Sequence, residues 1–191
     1  MINLKGIWKQ GFAFDKHVIS SKYICDNEYG YPVFETQRSE MGGLLYKLKY
    51  GQIPAIIQDI VYILKKSAEF DSFIKGIDYI APVPPSNKAR LVQPVIAVAQ
   101  ELSNTFGKPL LMDFIQSTNT DQIKNTDVSE RIEKVKNNLL IKNNINKNAK
   151  IMLFDDLFDS GSTMTAITEK LKENGYENIS IFTLTQGKDA N

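Results

Sequence analysis

The 191-residue sequence contains only one cysteine, Cys25, and one histidine, His17. A single cysteine excludes an intramolecular disulfide framework and any zinc site built from several cysteines. A single histidine leaves no metal cluster and no Cys/His pair that the spacing would support. Ordinary packing or a surface position is therefore the expectation for both residues.

The sequence also lacks an excess of charge and any long apolar run. The formal net charge is +1, so no overall field favours nucleic acid or a membrane surface. No segment resembles the apolar region of a signal peptide or reaches transmembrane length, and we therefore expect a cytoplasmic protein without a membrane partner. Apolar residues make up 42% and charged residues 24%, values typical of a globular protein with a real core.

The hydrophobic pattern of the first 70 residues differs from that of the rest. Residues 5–36 alternate apolar and polar residues up to a turn signal at 29–32, which predicts a β-hairpin or small meander. Helical spacing follows over 39–50 and again over 54–70. We therefore predict that residues 1–70 form a hood or appendage of hairpin and helices.

Residues 71–191 are predicted to form an α/β core, because strand and helix patterns alternate there. The predicted elements are a strand over 77–83, a helix over 92–106, strands over 110–114, 139–141, 150–155 and 179–185, and helices over 130–138 and 163–174, the last ended by Gly175. This alternation predicts a mainly parallel sheet flanked by helices, with ligands beyond the carboxyl ends of the strands. The polar residues 116–130 predict a mobile loop, which could cover a ligand or simply lie at the surface.

Residues 151–163, IMLFDDLFDSGST, are the segment whose order and chemistry point to a ligand. Four apolar residues lead into Asp155 and Asp156, and a loop of small hydroxylated residues then begins a helix. Carboxylates accept hydrogen bonds from vicinal hydroxyls, and backbone N–H groups at a helix N-terminus bind phosphate. The combination predicts a site for a phosphorylated sugar.

Each part of this segment also has a simpler explanation. Asp is common at strand ends as a turn former, and Ser or Thr at the start of a helix is an ordinary N-cap. Receiver domains of signalling proteins also end a strand with two acids, although their acidic strand comes early in the chain. Because adjacent strand residues point to opposite sides, one acid should face the ligand while the other caps the loop or holds a basic side chain.

The segment resembles the phosphoribosyl pyrophosphate (PRPP) binding motif of the type I phosphoribosyltransferases, whose Rossmann-like fold it implies. In that motif a hydrophobic strand precedes two acids and a Thr/Ser-Gly loop. The resemblance implies that Asp155 and Asp156 contact the ribose hydroxyls. The residues that would cradle the 5′-phosphate are Asp159, Ser160, Gly161, Ser162 and Thr163. By analogy with purine-type members, Asp159 is also the candidate general acid or base.

Three further stretches are similar to the ComF-like, competence-associated branch of this superfamily. They are RSEMGGLLYKLKYG (38–51), VPPSNKAR (83–90) and ERIEKVKNNL (130–139). The chain departs from the branch in lacking a cysteine cluster at its front. Its phosphate loop has Asp-Ser-Gly instead of Thr-Thr-Gly. Where the branch usually has an arginine-rich stretch after the first core strand, this sequence has only Lys88 and Arg90.

The loop after the first core strand supplies backbone N–H groups to pyrophosphate in this superfamily. The corresponding candidates here are Ser86, Asn87, Lys88 and Arg90. A plain proline-rich turn is the alternative, because Pro-Pro-Ser-Asn also has good turn chemistry.

The resemblance implies an enzyme that displaces pyrophosphate from the anomeric carbon of PRPP with a nitrogenous base or amine. It further implies Mg²⁺ held chiefly by the oxygens of the ligand, without a metal site made of protein ligands. Two alternatives stay open: a PRPP-sensing protein without turnover, and an interaction protein associated with DNA uptake. The near-neutral charge and the lack of a basic stripe interleaved with aromatics argue against nucleic acid. The acceptor and a homodimeric state cannot be deduced from the residues.

Overall fold

The computed structural model describes residues 1–85, 91–118, 127–142 and 145–187. Its strands are β1 (Ile2–Asn3), β2 (Gln10–Lys16), β3 (Val18–Asp26), β4 (Pro32–Arg38), β5 (Tyr79–Pro82), β6 (Ile115–Ser117), β7 (Leu139–Ile141), β8 (Ile151–Phe158) and β9 (Ile179–Gln186). Its helices are α1 (Glu40–Tyr50), α2 (Ile56–Lys66), α3 (Ala68–Lys75), α4 (Pro94–Phe106), α5 (Val128–Asn137) and α6 (Ser162–Glu173).

A five-stranded sheet in the order β1-β2-β9-β8-β5 forms the centre of the molecule. Strands β2, β9, β8 and β5 run parallel to one another, and only β1 is antiparallel to its neighbour in this sheet. The predicted α/β fold with a mainly parallel sheet flanked by helices is therefore confirmed. Because the four parallel strands share one direction, their carboxyl ends meet at a single edge of the sheet.

The apolar sequences of β8 and β9 follow from their position at the middle of this sheet. Residues 151–154 and 179–185 are buried, as expected for parallel strands that helices cover on both faces. One apolar layer, which includes Phe154 and Phe182, packs against α1, α2, α3 and α4. The other layer, which includes Leu153 and Ile181, packs against α6 and the small β6–β7 sheet.

The predicted N-terminal hairpin is confirmed as β3 and β4, which form a separate two-stranded sheet. Gly30 adopts a φ of 75° in its turn, a conformation that favours glycine. The rings of Tyr23 and Phe34 pack edge to face across the strands, 5.9 Å apart, and both side chains are about half exposed. No residue of β3 or β4 is buried.

The single helix predicted over 54–70 is wrong, because the structure divides this region at Ser67. The ψ of 114° at Ser67 breaks the helical path between α2 and α3. The Ser67 side chain then caps α3 by accepting a hydrogen bond from the N–H of Phe70 at 3.2 Å. A serine N-cap is a local signal that the apolar periodicity on either side conceals.

The strand predicted over 110–114 is also wrong. Leu110 forms only an isolated bridge with Ile80, and the chain then turns before β6 begins at Ile115. The pairing with β5 does not extend toward residue 109 either, because Pro109 has no backbone N–H to donate. The predicted edge strand over 139–141 is confirmed as β7, but its partner is β6.

The polar region predicted as a mobile loop over 116–130 begins as strand β6 and ends in α5, which starts at Val128. Residues 119–126 lie outside the described residues. The strand predicted over 150–155 is confirmed, but it continues to Phe158. It does so because β9 runs on beside it, so that Leu157 pairs with Thr185 and Phe158 with Gln186.

Residues 1–70 do not form one isolated unit in this arrangement. β1 and β2 belong to the central sheet, and α1 and α2 pack in its core, whereas β3 and β4 stand outside it. The division into two domains at residue 70 stays a prediction. Among the described residues, no helix is both long and apolar enough to cross a membrane.

Candidate functional site

A cleft of about 300 Å³ opens at the carboxyl ends of the parallel strands. One wall is formed by the end of β8 and the start of α6, and the opposite wall by the segment after β5 and the start of α4. Lys49 of α1 and Arg131 of α5 complete the described part of the lining. The cleft lies where ligands bind in open α/β sheets.

Asp156 is bound to a cation inside this cleft. The Nζ of Lys49 donates a hydrogen bond to Oδ1 of Asp156 at 2.8 Å, across a sequence separation of 107 residues. The side chains are only 14% and 10% exposed, so water screens this ion pair weakly. The Asp156 carboxyl is thereby held in a fixed orientation beside a positive charge.

Asp155 has no such partner among the described residues. Burial, and to a smaller extent the negative charge of Asp156, raises the pKa of its carboxyl to about 8. The N–H of Asp156 donates to Oδ1 of Asp155 at 2.8 Å and opposes this shift, as does the charge of Lys49. At neutral pH Asp155 is therefore mostly protonated, and its Oδ2 is the oxygen left for a ligand.

A hydrogen-bonded chain fixes the backbone of the acid pair from the neighbouring strand. The hydroxyl of Thr185 donates to the carbonyl of Asp156 at 3.2 Å, and Nδ1 of His17 lies 3.2 Å from the same hydroxyl oxygen. Since the only hydroxyl proton is directed at the carbonyl, Nδ1 of His17 must carry the donated proton. The pKa of His17 is lowered by partial burial, and the nearby charges of Lys49 and Arg38 lower it further.

The loop between β8 and α6 presents backbone N–H groups to the cleft. Gly161 has a φ of 74°, and an added Cβ would lie 2.7 Å from the ring of Phe158, so glycine is required for two reasons. Gly161 is the N-cap of α6 but has no side chain with which to cap it. The N–H of Ser162 donates a long hydrogen bond of 3.5 Å to Oγ of Ser160, so the first turn of α6 can still offer N–H groups to an anion. The hydroxyls of Ser160 and Ser162, which lie 2.9 Å apart, can contribute to the same site.

The structure brings together the residues predicted from the 151–163 segment. The predicted residues that line the cleft are Asp155, Asp156, Asp159, Ser160, Gly161, Ser162 and Thr163. Asp159 is exposed at its mouth. The candidates of the loop after β5, Ser86, Asn87, Lys88 and Arg90, lie outside the described residues, although Pro84 and Pro85 before them line the cleft.

Lys49 and Arg131 were not predicted as site residues. They lie in the stretches 38–51 and 130–139, whose resemblance to the ComF-like branch was noted, but that resemblance did not single out either residue as a ligand contact. Together they supply two positive charges to the described lining, against three carboxylates from Asp155, Asp156 and Asp159. Among the described residues, no group of three or more His, Cys, Asp or Glu side chains could hold a metal ion by itself.

Comparison with known proteins finds similar structures but no similar sequences. No protein-family model matches the chain, and no curated protein matches it significantly. Adenine phosphoribosyltransferase from Saccharomyces cerevisiae is 12% identical over 87% of this chain and 83% of its own, with a TM-score of 0.49. Orotate phosphoribosyltransferase from Aeropyrum pernix is 13% identical over 87% of this chain and 74% of its own, with a TM-score of 0.44.

A larger protein is also among the similar structures. UMP synthase from Leishmania donovani is 16% identical over 85% of this chain, with a TM-score of 0.38. This chain spans only 27% of the length of that protein. Similarity at this level assigns neither a family nor an activity to the chain.

Proposed function

We propose that the protein is a phosphoribosyltransferase that binds PRPP with Mg²⁺ in the cleft at the end of β8. The supporting observation is that one cleft contains both an acid pair at a strand end and an uncapped helix start bearing small hydroxylated residues. The acids suit the vicinal hydroxyls of ribose, and the helix start suits a phosphate. The resemblance of residues 151–163 to the PRPP motif supports the same ligand.

In this proposal the two acids have different roles. Asp155, with Oδ2 free and its carboxyl mostly protonated, can donate a hydrogen bond to one ribose hydroxyl or accept one after losing its proton. Asp156, held by Lys49, supplies a fixed negative charge beside the sugar. Such a charge would stabilise the positive charge that develops on the ribose ring as pyrophosphate leaves.

The reaction would break the bond between the anomeric carbon and pyrophosphate and form a bond from that carbon to nitrogen. The electron pair of the broken bond leaves with pyrophosphate, and the nitrogen loses one proton. Asp159, exposed at the mouth of the cleft, is the proposed acceptor of that proton. The chain contributes orientation and charge stabilisation, without a covalent nucleophile.

The described residues fit Mg²⁺ only as a partner of the ligand. Carboxylate oxygens are suitable donors for Mg²⁺, but Asp156 is already engaged by Lys49, which leaves Asp155. The metal would therefore be held chiefly by pyrophosphate and ribose oxygens, with Asp155 in contact directly or through water. When bound, it would neutralise charge on the leaving group.

Isothermal titration calorimetry with PRPP and Mg²⁺ tests the proposal. Wild-type protein should bind, and the double variant Asp155→Asn/Asp156→Asn should bind much more weakly, because the ribose hydroxyls lose both carboxyl groups and the cleft loses the negative charge of Asp156. If the wild-type protein does not bind PRPP in the presence of Mg²⁺, the proposal is wrong. Release of pyrophosphate with a panel of nucleobases and amines would then identify the acceptor and separate an enzyme from a PRPP sensor.

The ComF-like branch is part of the same proposal, on the strength of residues 38–51, 83–90 and 130–139. A role in DNA uptake would require nucleic-acid binding, which the net charge of +1 does not favour. A highly charged sugar phosphate as substrate fits a cytoplasmic setting.

A further inference from the structure

Arg131 is a cation of the cleft whose side chain has no hydrogen-bond or ion-pair partner among the described residues. Its side chain lines the cleft and is partly exposed. The backbone N–H of Arg131 donates to the carbonyl of Asp127, as part of the first turn of α5. Lys49, the other described cation of the lining, is occupied by Asp156. A guanidinium that lines the cleft without a partner in the described part of the chain is available to an anionic ligand.

The packing of α5 on α6 determines where this guanidinium can reach. Lys136, near the end of α5, forms ion pairs with Glu169 at 3.1 Å and Glu173 at 2.9 Å, both in the second half of α6. Arg131, near the start of α5, lines the cleft together with the first residues of α6, so the two helices lie side by side in the same direction. Arg131 comes five residues before Lys136, or about 7.5 Å back along the helix, which brings it level with the first half of α6.

The start of α6 is also where the cleft offers hydrogen-bond donors. Gly161 leaves the first N–H groups of the helix uncapped, and Ser160, Ser162 and Thr163 line the cleft around them. A phosphate group bound there would carry about two negative charges near neutral pH. The nearest carboxylates would repel it, so a second cation beside the helix start would strengthen binding.

We propose that Arg131 binds the 5′-phosphate of the sugar ligand together with the first turn of α6. This inference rests on the proposed function and assigns to that site a residue that the motif does not contain. The planar guanidinium can donate two parallel hydrogen bonds to phosphate oxygens, which a lysine cannot do. Arg131 would thus select ligands that end in a phosphate monoester at this position.

Calorimetry with two partial ligands tests the assignment. Ribose 5-phosphate carries the 5′-phosphate without pyrophosphate, and inorganic pyrophosphate with Mg²⁺ represents the other end of PRPP. Arg131→Gln should weaken binding of ribose 5-phosphate and of PRPP by at least about tenfold, the loss expected for a charge-assisted hydrogen bond, and leave pyrophosphate binding unchanged. Arg131→Lys should restore part of the loss.

Lys134→Gln is the matched control, because it removes one positive charge from the same helix at an exposed position whose ion pair in the described structure is with Glu130. It should bind all three ligands as the wild type does, and thermal unfolding of each variant verifies the fold. If wild-type protein binds neither PRPP nor ribose 5-phosphate, the proposed function fails. If wild-type protein binds both and Arg131→Gln binds them equally well, only the role of Arg131 is overturned. Loss of pyrophosphate binding in Arg131→Gln would also overturn the assignment to the 5′-phosphate.

Discussion

At the scale of single residues, the structure separates two acids that the sequence presents as equivalent. Asp155 and Asp156 are adjacent, yet one is mostly protonated at neutral pH and the other forms an ion pair with Lys49. Burial of an acid without a cation opposes its ionisation, so Asp155 lowers the stability of the protein increasingly as the pH rises above about 4. Such a cost is typical of residues retained for function.

Asp155→Asn should therefore stabilise the protein, and more at high pH than at low pH. In the unfolded chain the Asp155 carboxyl has its ordinary pKa of about 3.8, whereas in the folded protein its pKa is about 8. Between these two values only the unfolded state is ionised, so this group makes the protein less stable as the pH rises from about 4 to 8. The amide oxygen of asparagine can still accept the hydrogen bond from the N–H of Asp156.

Thermal unfolding of wild-type protein and Asp155→Asn at pH 5 and pH 8.5 measures this effect. The difference in melting temperature should favour the variant and should be larger at pH 8.5. A variant that is less stable than the wild type at both pH values would show that the Asp155 carboxyl stabilises the fold.

At the scale of elements, the ion pair between Lys49 and Asp156 joins α1 to β8. The α1 helix begins at Ser39, whose hydroxyl donates to the carbonyl of Lys16 and accepts from the N–H of Gly42. Gly42 in turn lies so close to the His17 carbonyl that an added Cβ would be 2.2 Å from its oxygen. Both ends of α1 are thus fixed to the edge of the sheet where the cleft opens.

Lys49→Met should destabilise the protein by about 3 kcal/mol, because it leaves the buried charge of Asp156 without a partner. Lys47→Met provides the matched control, since Lys47 lies on the exposed side of the same helical turn. We expect the control to change the free energy of unfolding by less than about 0.5 kcal/mol in urea titrations. Equal effects of the two substitutions would mean that the ion pair contributes nothing beyond ordinary helix packing.

The sequence predicted those elements whose signals are local. Strands β8 and β9, helix α6 and the loop between β8 and α6 were found because apolar runs and the Asp-Ser-Gly-Ser-Thr order lie within one segment. The division at Ser67 was missed because apolar residues continue at helical spacing on both sides of it. The true extent of β8 was missed because its pairing with β9, and not its own composition, determines where it ends.

Only the part of the candidate site that residues 151–163 form could be predicted from the sequence. The motif indicated that one of the two acids could hold a basic side chain, but Lys49 was not identifiable. Its ammonium reaches Asp156 only because α1 packs beside β9 and β2, a tertiary arrangement that no pattern near residue 49 encodes. Arg131 was missed for the same reason, since its position depends on the packing of α5 against α6.

At the scale of the whole molecule, the β3–β4 hairpin stands apart from the sheet and core that hold the cleft. Its strands contain no buried residue, and a two-stranded ribbon alone has little stability in water. Its ends are close together, because Val18 and Arg38 are paired across the strands. The remainder of residues 1–70 contributes to the central sheet and its apolar layer.

Replacing residues 19–37 with a short Gly-Ser linker should therefore leave a cooperative thermal transition near the wild-type temperature, measured by circular dichroism. A fragment of residues 71–191 is the comparison, and it tests the domain division predicted at residue 70. We expect this fragment not to fold, because it lacks β2 and the helices that cover one face of the sheet. Folding of the fragment, or unfolding of the hairpin-free protein, would contradict these expectations.

The pairing of β2 with β9 also has a consequence for the protein while it is being made. Residues 10–16 leave the ribosome well before residues 180–186, the strand that pairs with them. Until β9 emerges, β2 can pair only with β1 among the strands described beside it, and the apolar side chains of the unfinished sheet stay exposed to other chains. The central sheet can therefore close only after β9 has been synthesised, and we expect chaperones to bind the nascent chain until then.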